Sequence, residues 1–289
     1  MYLVIDIGGT YTKYGYYDVD GTCQYSHKYP TVKSNIEEFY LKIKKLIQPQ
    51  IQGIAISMPG LLDSQSGYVE AITLLPFLAQ HNIKEELMNL TQLPVSVEND
   101  AKCATLGEMW KGSLKDAQNA LMMVLGSGIG GTIILDGHIL SSPRHKAGEI
   151  GSILVPTDKF YNSMTNFGHH NNANALIQKI SQVLNCDQNG EYIFKHILDN
   201  QETKDIFEQY CREIAFTIYN LDYILDLDVV CIGGGISEQD LLISTIQQQF
   251  SLLRNQYKED NHEPIIKSCT YKNEANLLGA LAHHINQKK

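Results

Sequence analysis

Twice along this chain a short apolar run ends in a glycine cluster and continues at once into a second strand-like run closed by Asp-Gly. The first copy is YLVIDIGGT at 2–10, followed by YTKYGYYDVDG; the second is ALMMVLGSGIGGT at 120–132, continuing into TIILDGHIL. β-Branched and aromatic residues favour extended backbone and Asp-Gly is a hairpin turn signal, so each copy reads as strand, glycine turn, strand. Internal duplication is the economical explanation, and it predicts two related lobes facing one cleft. A third cluster, VVCIGGGIS at 229–237, differs: a strand ends in Gly233-Gly234-Gly235 and a helix is expected to open at Ser237.

The segments between these landmarks alternate short β-rich runs with helical periodicity, which argues for an α/β architecture. Helices are expected near 34–47, 82–90, 100–111, 172–185, 189–199, 202–226 and 274–287, and further strands near 51–57, 94–98, 228–232 and 264–268. Ser34 reads as the N-cap of the first helix, with Glu37 completing a capping box. The duplication puts the lobe boundary near 115. The first lobe is then 1–115, with the terminal helix (274–289) packing on it, and the second is 116–273.

Composition narrows the function classes. With 289 residues, 43% hydrophobic and 19% charged, the chain is globular, and 23 basic against 32 acidic residues leave a net charge of −9. That balance argues against nucleic acid as a partner. The six Cys, at 23, 103, 186, 211, 231 and 269, form no C-x-x-C pair and read as reduced thiols. The N-terminus carries Asp6 inside its apolar run, unlike a signal peptide, and no run approaches the ~20 apolar residues of a membrane span. A cytoplasmic protein is expected, with no membrane partner.

GSGIGG at 126–131 matches G-x-G-x-x-G, but a dinucleotide site needs a helix directly after the glycines and a strand follows here. The chain has no Gly-Lys dipeptide, so there is no Walker A loop. Two readings remain for each loop: a hairpin whose N–H groups approach a polyphosphate closely, or an ordinary tight turn. Two duplicated loops together with Gly233–Gly235 favour the phosphate reading. Asp6, set among Leu3, Val4, Ile5 and Ile7, is either a hydrogen-bonded structural carboxylate or one near a metal. Lys13 is either a solvated strand lysine or a phosphate contact.

The blocks DIGGTYTKYGYYD, ISMPGLLD, VENDAKCATLGE, LGSGIGGTIILDG, KAGEIGS and CIGGGIS resemble, in order and spacing, those of ROK-family sugar kinases, over essentially the whole chain. The resemblance implies the two-lobed, duplicated actin/hexokinase-like (ribonuclease H-like) fold. It implies a first phosphate element of Asp6, Gly8, Gly9, Thr10 and Lys13, with Asp6 reaching Mg²⁺ through water. A second phosphate element follows at Gly126, Ser127, Gly128 and Gly130, and a nucleotide-side turn at Gly233, Gly234 and Gly235. Gly60, Asn99, Asp100 and Glu149 fall on sugar-pocket positions, with Asp100 as general base. The implied partners are a sugar, ATP and Mg²⁺, and a second copy in a homodimer.

Chemistry agrees with this assignment: phosphoryl transfer asks mainly for alignment and charge neutralisation, and the attacking hydroxyl still needs a proton acceptor. Asn99 or Asp100 could also simply cap the 100–111 helix. Two departures from the family matter. Many ROK kinases carry His directly after the E-x-G of the KAGEIGS block, and then a cysteine-rich zinc knuckle. Here the position holds Ser152, and no Cys occurs between it and Cys186, so no zinc site is expected. His169-His170 reads as a solvated loop, and His145 as a sugar contact or a solvent-facing residue. The resemblance is to the zinc-lacking subgroup similar to glucokinases and β-glucoside kinases, and Ser152 suggests tolerance of a substituent on the anomeric oxygen, as in zinc-lacking β-glucoside kinases of the family. The leading expectation is an ATP-dependent kinase acting on the 6-hydroxyl of a hexose or hexoside. The alternatives are a sugar-sensing regulator and a non-catalytic sugar-binding protein.

Overall fold

A computed structural model describes residues 1–142, 146–156, 162–187, 189–257 and 263–287, with Asn273 by its backbone alone. The chain forms two compact units, Met1–Lys115 with Asn273–Lys289, and Asp116–Lys272.

The first unit runs β1 (Tyr2–Ile7), β2 (Tyr11–Tyr17), β3 (Cys23–Pro30), α1 (Ile36–Lys44), β4 (Ile54–Met58), β5 (Leu61–Asp63), β6 (Tyr68–Ala71), α2 (Ile83–Thr91), β7 (Val95–Asn99) and α3 (Asp100–Lys111), and is completed by the C-terminal helix (Ala275–Asn286). Its sheet has the order β3-β2-β1-β4-β7, antiparallel among the first three strands and parallel from β1 to β7. Every residue of β1 is buried, as suits a central strand covered on both faces. Leu3, Ile5, Ile54 and Ile56 meet Phe39 and Ile43 of α1 and Leu87 of α2 in one apolar core. On α3, a Cβ at Gly107 would collide with the Ala275 carbonyl; one at Gly279 would collide with that of Cys103. The two glycines therefore let α3 and the C-terminal helix touch backbone to backbone.

The second unit repeats the plan. It runs β8 (Ala120–Leu125), β9 (Ile129–Leu135), β10 (His138–Ile139), β11 (Leu154–Pro156), β12 (Met164–Asn166), α4 (Phe167–His170), α5 (Ala173–Leu184), α6 (Gly190–His196), α7 (Gln201–Leu225), β13 (Val229–Gly233), α8 (Asp240–Tyr257) and β14 (Ile265–Ser268). The sheet order β10-β9-β8-β13-β14 has the same sequence of directions as the first. Asp136 (φ 50°) and Gly137 (φ 72°) lie between the paired Leu135 and His138, a two-residue hairpin turn of the type that Asp-Gly favours. The core gathers Leu121, Met123, Ile214, Ile218, Val230, Ile246 and Phe250.

Three expectations need correction. The cap of α1 is Asn35, not Ser34: its extended backbone aims Oδ1 at the Glu38 amide, 2.8 Å away, while the Ser34 hydroxyl bonds the Glu38 carboxylate. No α-helix opens at Ser237. Its hydroxyl and amide both turn back to the Gly234 carbonyl (2.8 and 3.1 Å), closing a single 3₁₀ turn (Gly235–Glu238), and α8 begins at Asp240. The tandem His169-His170 is helical, and His170 Nε2 lies 3.5 Å from Glu213 Oε2. The hairpins β5/β6 and β11/β12, too short to show an alternating pattern, went unforeseen.

Candidate active site

In the first unit the sheet gathers polar side chains at the carboxyl ends of β1, β4 and β7. Asp6, 8% exposed, sits opposite Lys13 on β2 and Ser57 on β4 by strand register. Its Oδ1 accepts from Ser57 Oγ at 2.9 Å and from Asn276 Nδ2 at 3.0 Å, and its Oδ2 lies 4.0 Å from Lys13 Nζ. The buried carboxylate is thus satisfied by donors, with one oxygen turned toward a cation. The loop that follows, Gly8 to Thr10, is tied by the Gly8 amide to the Tyr11 carbonyl (3.2 Å) and by Thr31, which reaches both the Gly8 and Thr10 carbonyls.

One strand further, β7 ends at Asn99 and α3 begins at Asp100. Asn99 caps the helix, Oδ1 accepting from the amides of Ala101 (3.0 Å) and Lys102 (3.2 Å), while its Nδ2 donates to the Gly60 carbonyl at 3.1 Å. Gly60 has φ +112°, and a Cβ there would lie 2.7 Å from the Ala71 carbonyl. Asp100 is in the first turn of α3, with Oδ1 accepting from the Ala101 amide at 2.9 Å. Burial holds its carboxyl above the usual carboxylate range; the Ala101 amide opposes the rise and the charge of Asp6 adds to it. Asp6, Lys13, Gly60, Asn99 and Asp100 thus belong to one connected set.

The remaining candidates belong to the second unit. Ser127 and Gly128 are exposed at the tip of the β8/β9 turn, which the Gly126 amide closes on the Gly128 carbonyl at 2.9 Å; Gly130 follows in β9. A Cβ on Gly128 or on exposed Gly235 would meet nothing within 4 Å, so packing does not require glycine at either position. Gly234 is different: its φ is +95° and a Cβ would collide with the Leu125 carbonyl. Gly233 ends β13 beside Val124. Glu149 is exposed and precedes the 3₁₀ turn Ile150–Ser152. His145 lies outside the described residues, as do 157–161 of the stretch replacing the knuckle. Two cavities of about 420 and about 430 Å³ open in this unit around His170, Asn171, Gln209 and Glu213, and none of the candidates above lines them.

Among the described residues, no cluster of three or more His, Cys, Asp or Glu could hold a metal ion. Mg²⁺ needs no such cage, since it keeps waters and uses one or two carboxylates plus substrate phosphates. The buried Asp6, with its charge acting on Asp100, fits that kind of ion.

The family model described as the ROK family matches residues 2–287. The chain belongs to the ROK family. A β-glucoside kinase of Listeria innocua is 27% identical over 98% of this chain and 97% of its own length. A glucokinase of Halalkalibacterium halodurans is 28% identical over 96% of this chain and 93% of its own. Among solved structures, a ROK family protein of Streptococcus pneumoniae in complex with sucrose is 26% identical; it superposes with a TM-score of 0.89 over 99% of this chain and 98% of its own. The doubled sheet is the actin/hexokinase-like fold of this family. Ser57, Thr31 and Asn276 were missed by sequence reasoning. Ser57 had a signal, being the polar residue of an otherwise apolar strand, as Asp6 is of β1; Asn276 had none, because no local pattern ties it to β1.

Proposed function

We propose that the protein is an ATP- and Mg²⁺-dependent carbohydrate kinase that phosphorylates the 6-hydroxyl of a hexose or hexoside. The observation that carries this reading is the Asp100 carboxylate: fixed in the first turn of α3, tied through Asn99 to the Gly60 turn, and held above the ordinary carboxylate range. A proton acceptor raised toward the working pH is what general-base catalysis asks for. Asp100 takes the hydroxyl proton as the sugar oxygen forms its bond to the γ-phosphorus and the bond to the β,γ-bridging oxygen breaks, ADP leaving with the electron pair. Asn99, Gly60 and Glu149 bind and orient the sugar. The amides of Gly8, Gly9, Thr10, Gly126, Ser127, Gly128 and Gly130 approach the phosphates with Lys13, and Gly233–Gly235 lie on the nucleotide side. Asp6 holds Mg²⁺ through water, and the ion, when bound, supplies neutralisation of phosphate charge.

Ser152, exposed in the Ile150–Ser152 turn, is the basis for accepting a substituent on the anomeric oxygen. The likeness to β-glucoside kinases and to the sucrose-bound protein supports a glycoside as acceptor. Exposed Phe216, Tyr223 and Ile224 of α7 and Leu252 of α8 support a homodimer. No described helix is long and apolar enough to cross a membrane, and a cytoplasmic location is part of the same reading. Coupled ADP release across glucose, fructose, N-acetylmannosamine and cellobiose tests the reading. Turnover of cellobiose or another β-glucoside is expected. Activity confined to free glucose sinks the glycoside assignment, and sugar binding with no turnover on any acceptor moves the protein to the non-catalytic or regulatory alternative.

A further inference from the structure

The two oxygens of the Asp6 carboxylate are used differently. Oδ2 faces Lys13, whereas Oδ1 takes two donors, from Ser57 and Asn276. The sheet delivers Ser57, since β1 and β4 pair Asp6 with it in register. Asn276 is 270 positions from Asp6 and reaches it from the second residue of the C-terminal helix. Its placement follows from the way that helix is locked. Gly107 and Gly279 bring its backbone against α3, the helix that starts at Asp100, closely enough to exclude a methyl group at either point. At its far end, Ser96 Oγ hydrogen-bonds His284 Nδ1 at 2.8 Å, and His283 Nδ1 lies 3.7 Å from Glu98 Oε2. One helix therefore carries contacts to β1 and β7 while packed on α3.

We infer that Asn276 is a positioning residue of the phosphoryl-transfer site: by holding Oδ1 of Asp6 it fixes the carboxylate rotamer that presents Oδ2 to the metal and phosphates. It acts through Asp6 and touches no reactant. A neutral amide suits the task, because it donates to the carboxylate without adding a charge that would compete with Lys13 or a cation. Ser57 holds the same oxygen through a single rotatable hydroxyl. With Asn276 also in place, donors from two separate elements converge on Oδ1 and oppose rotation of the carboxylate. The inference rests on the kinase reading, in which Asp6 holds Mg²⁺ through water.

The test is Asn276→Ala, read by Mn²⁺ binding to the ADP complex (electron paramagnetic resonance), the Mg²⁺ dependence of kcat, the sugar Kd and the melting temperature. Removing a partner that orients a metal-linked carboxylate is expected to weaken Mn²⁺ binding about tenfold or more and to raise the Mg²⁺ requirement in parallel. The sugar Kd and melting temperature are expected to stay near those of the parent. Unchanged Mn²⁺ binding overturns the inference, as does a uniform loss of metal affinity, sugar affinity and thermal stability, which marks a structural role alone. A parent protein that releases no ADP with any sugar defeats the kinase reading instead. In that case the Mn²⁺ readout decides only whether Asn276 positions Asp6 for a metal ion, weakened binding keeping that narrower role and unchanged binding removing it.

Discussion

The two units share one sheet plan, and a telling difference lies at the penultimate residue of the strand before each glycine turn. In the first unit that residue is Asp6, paired across the sheet with Lys13 and Ser57; in the second it is Val124, paired with Gly130 and Gly233. The same backbone position carries a hydrogen-bonded carboxylate in one unit and an apolar isopropyl group flanked by two glycines in the other. A duplicated scaffold can therefore divide the work of phosphoryl transfer. On the proposed reading, one copy keeps carboxylates for the metal and the proton, and the other offers backbone amides to an anionic nucleotide without adding charge near it. The net charge of −9 fits this division, in which a basic surface is not what would hold the nucleotide.

The sharpest way to break the comparison is to neutralise the charged copy. Asp6→Asn keeps the shape and one acceptor oxygen for Ser57 and Asn276 while removing the charge, and kcat is expected to fall about 10²–10³-fold, with nucleotide binding measured alongside by calorimetry. Turnover within a few-fold of the parent would remove Asp6 from the metal site. The second unit makes a paired prediction. Gly128→Ala adds a methyl group that meets no protein atom. Stability is expected to stay within about 0.5 kcal/mol while KM for ATP rises about tenfold or more. Gly234→Ala strains a left-handed residue against the Leu125 carbonyl and is expected to cost about 1–3 kcal/mol in denaturant melts. Equal stability losses would mean that both glycines serve packing.

Smaller effects follow from the two carboxylates. Asp100 is raised, so its base form is lost on acidification sooner than an ordinary carboxylate's. The acid limb of kcat/KM is expected above the unperturbed value of about 3.9, and in the residual activity of Asp6→Asn it should move down. An unmoved limb would show that Asp6 does not act on Asp100. The same sign applies to stability. A raised carboxyl favours the folded state while protonated, and that contribution is lost as pH rises through the folded pKa, so at neutral pH the charge opposes folding. Asp100→Asn is then expected to melt at the same temperature or roughly 2–4 °C higher at pH 7, the gain fading toward acid pH.

The doubled hairpin was legible in the sequence because its signals are local: glycine clusters, alternating aromatic residues and Asp-Gly turns lie within a dozen positions of one another. Asp6 stood out for a related reason, as a polar residue interrupting an apolar strand, whereas Asn99 and Asp100 were singled out through the resemblance of the VENDAKCATLGE block. What escaped the reading depends on competition between nearby groups or on long-range register. Asn35 displaced Ser34 as a cap because its carboxamide reaches the Glu38 amide. Ser237 closes on Gly234 and delays α8 to Asp240. Asn276 meets Asp6 across 270 positions of sequence, from a helix whose close approach to α3 Gly107 and Gly279 permit.

Asp100 is the proposed proton acceptor, and the most direct test is kcat of Asp100→Asn at saturating sugar and MgATP, with the sugar Kd determined on the same preparation. A fall in kcat of at least ~10² with the sugar Kd nearly unchanged is predicted. Near-normal turnover would contradict it.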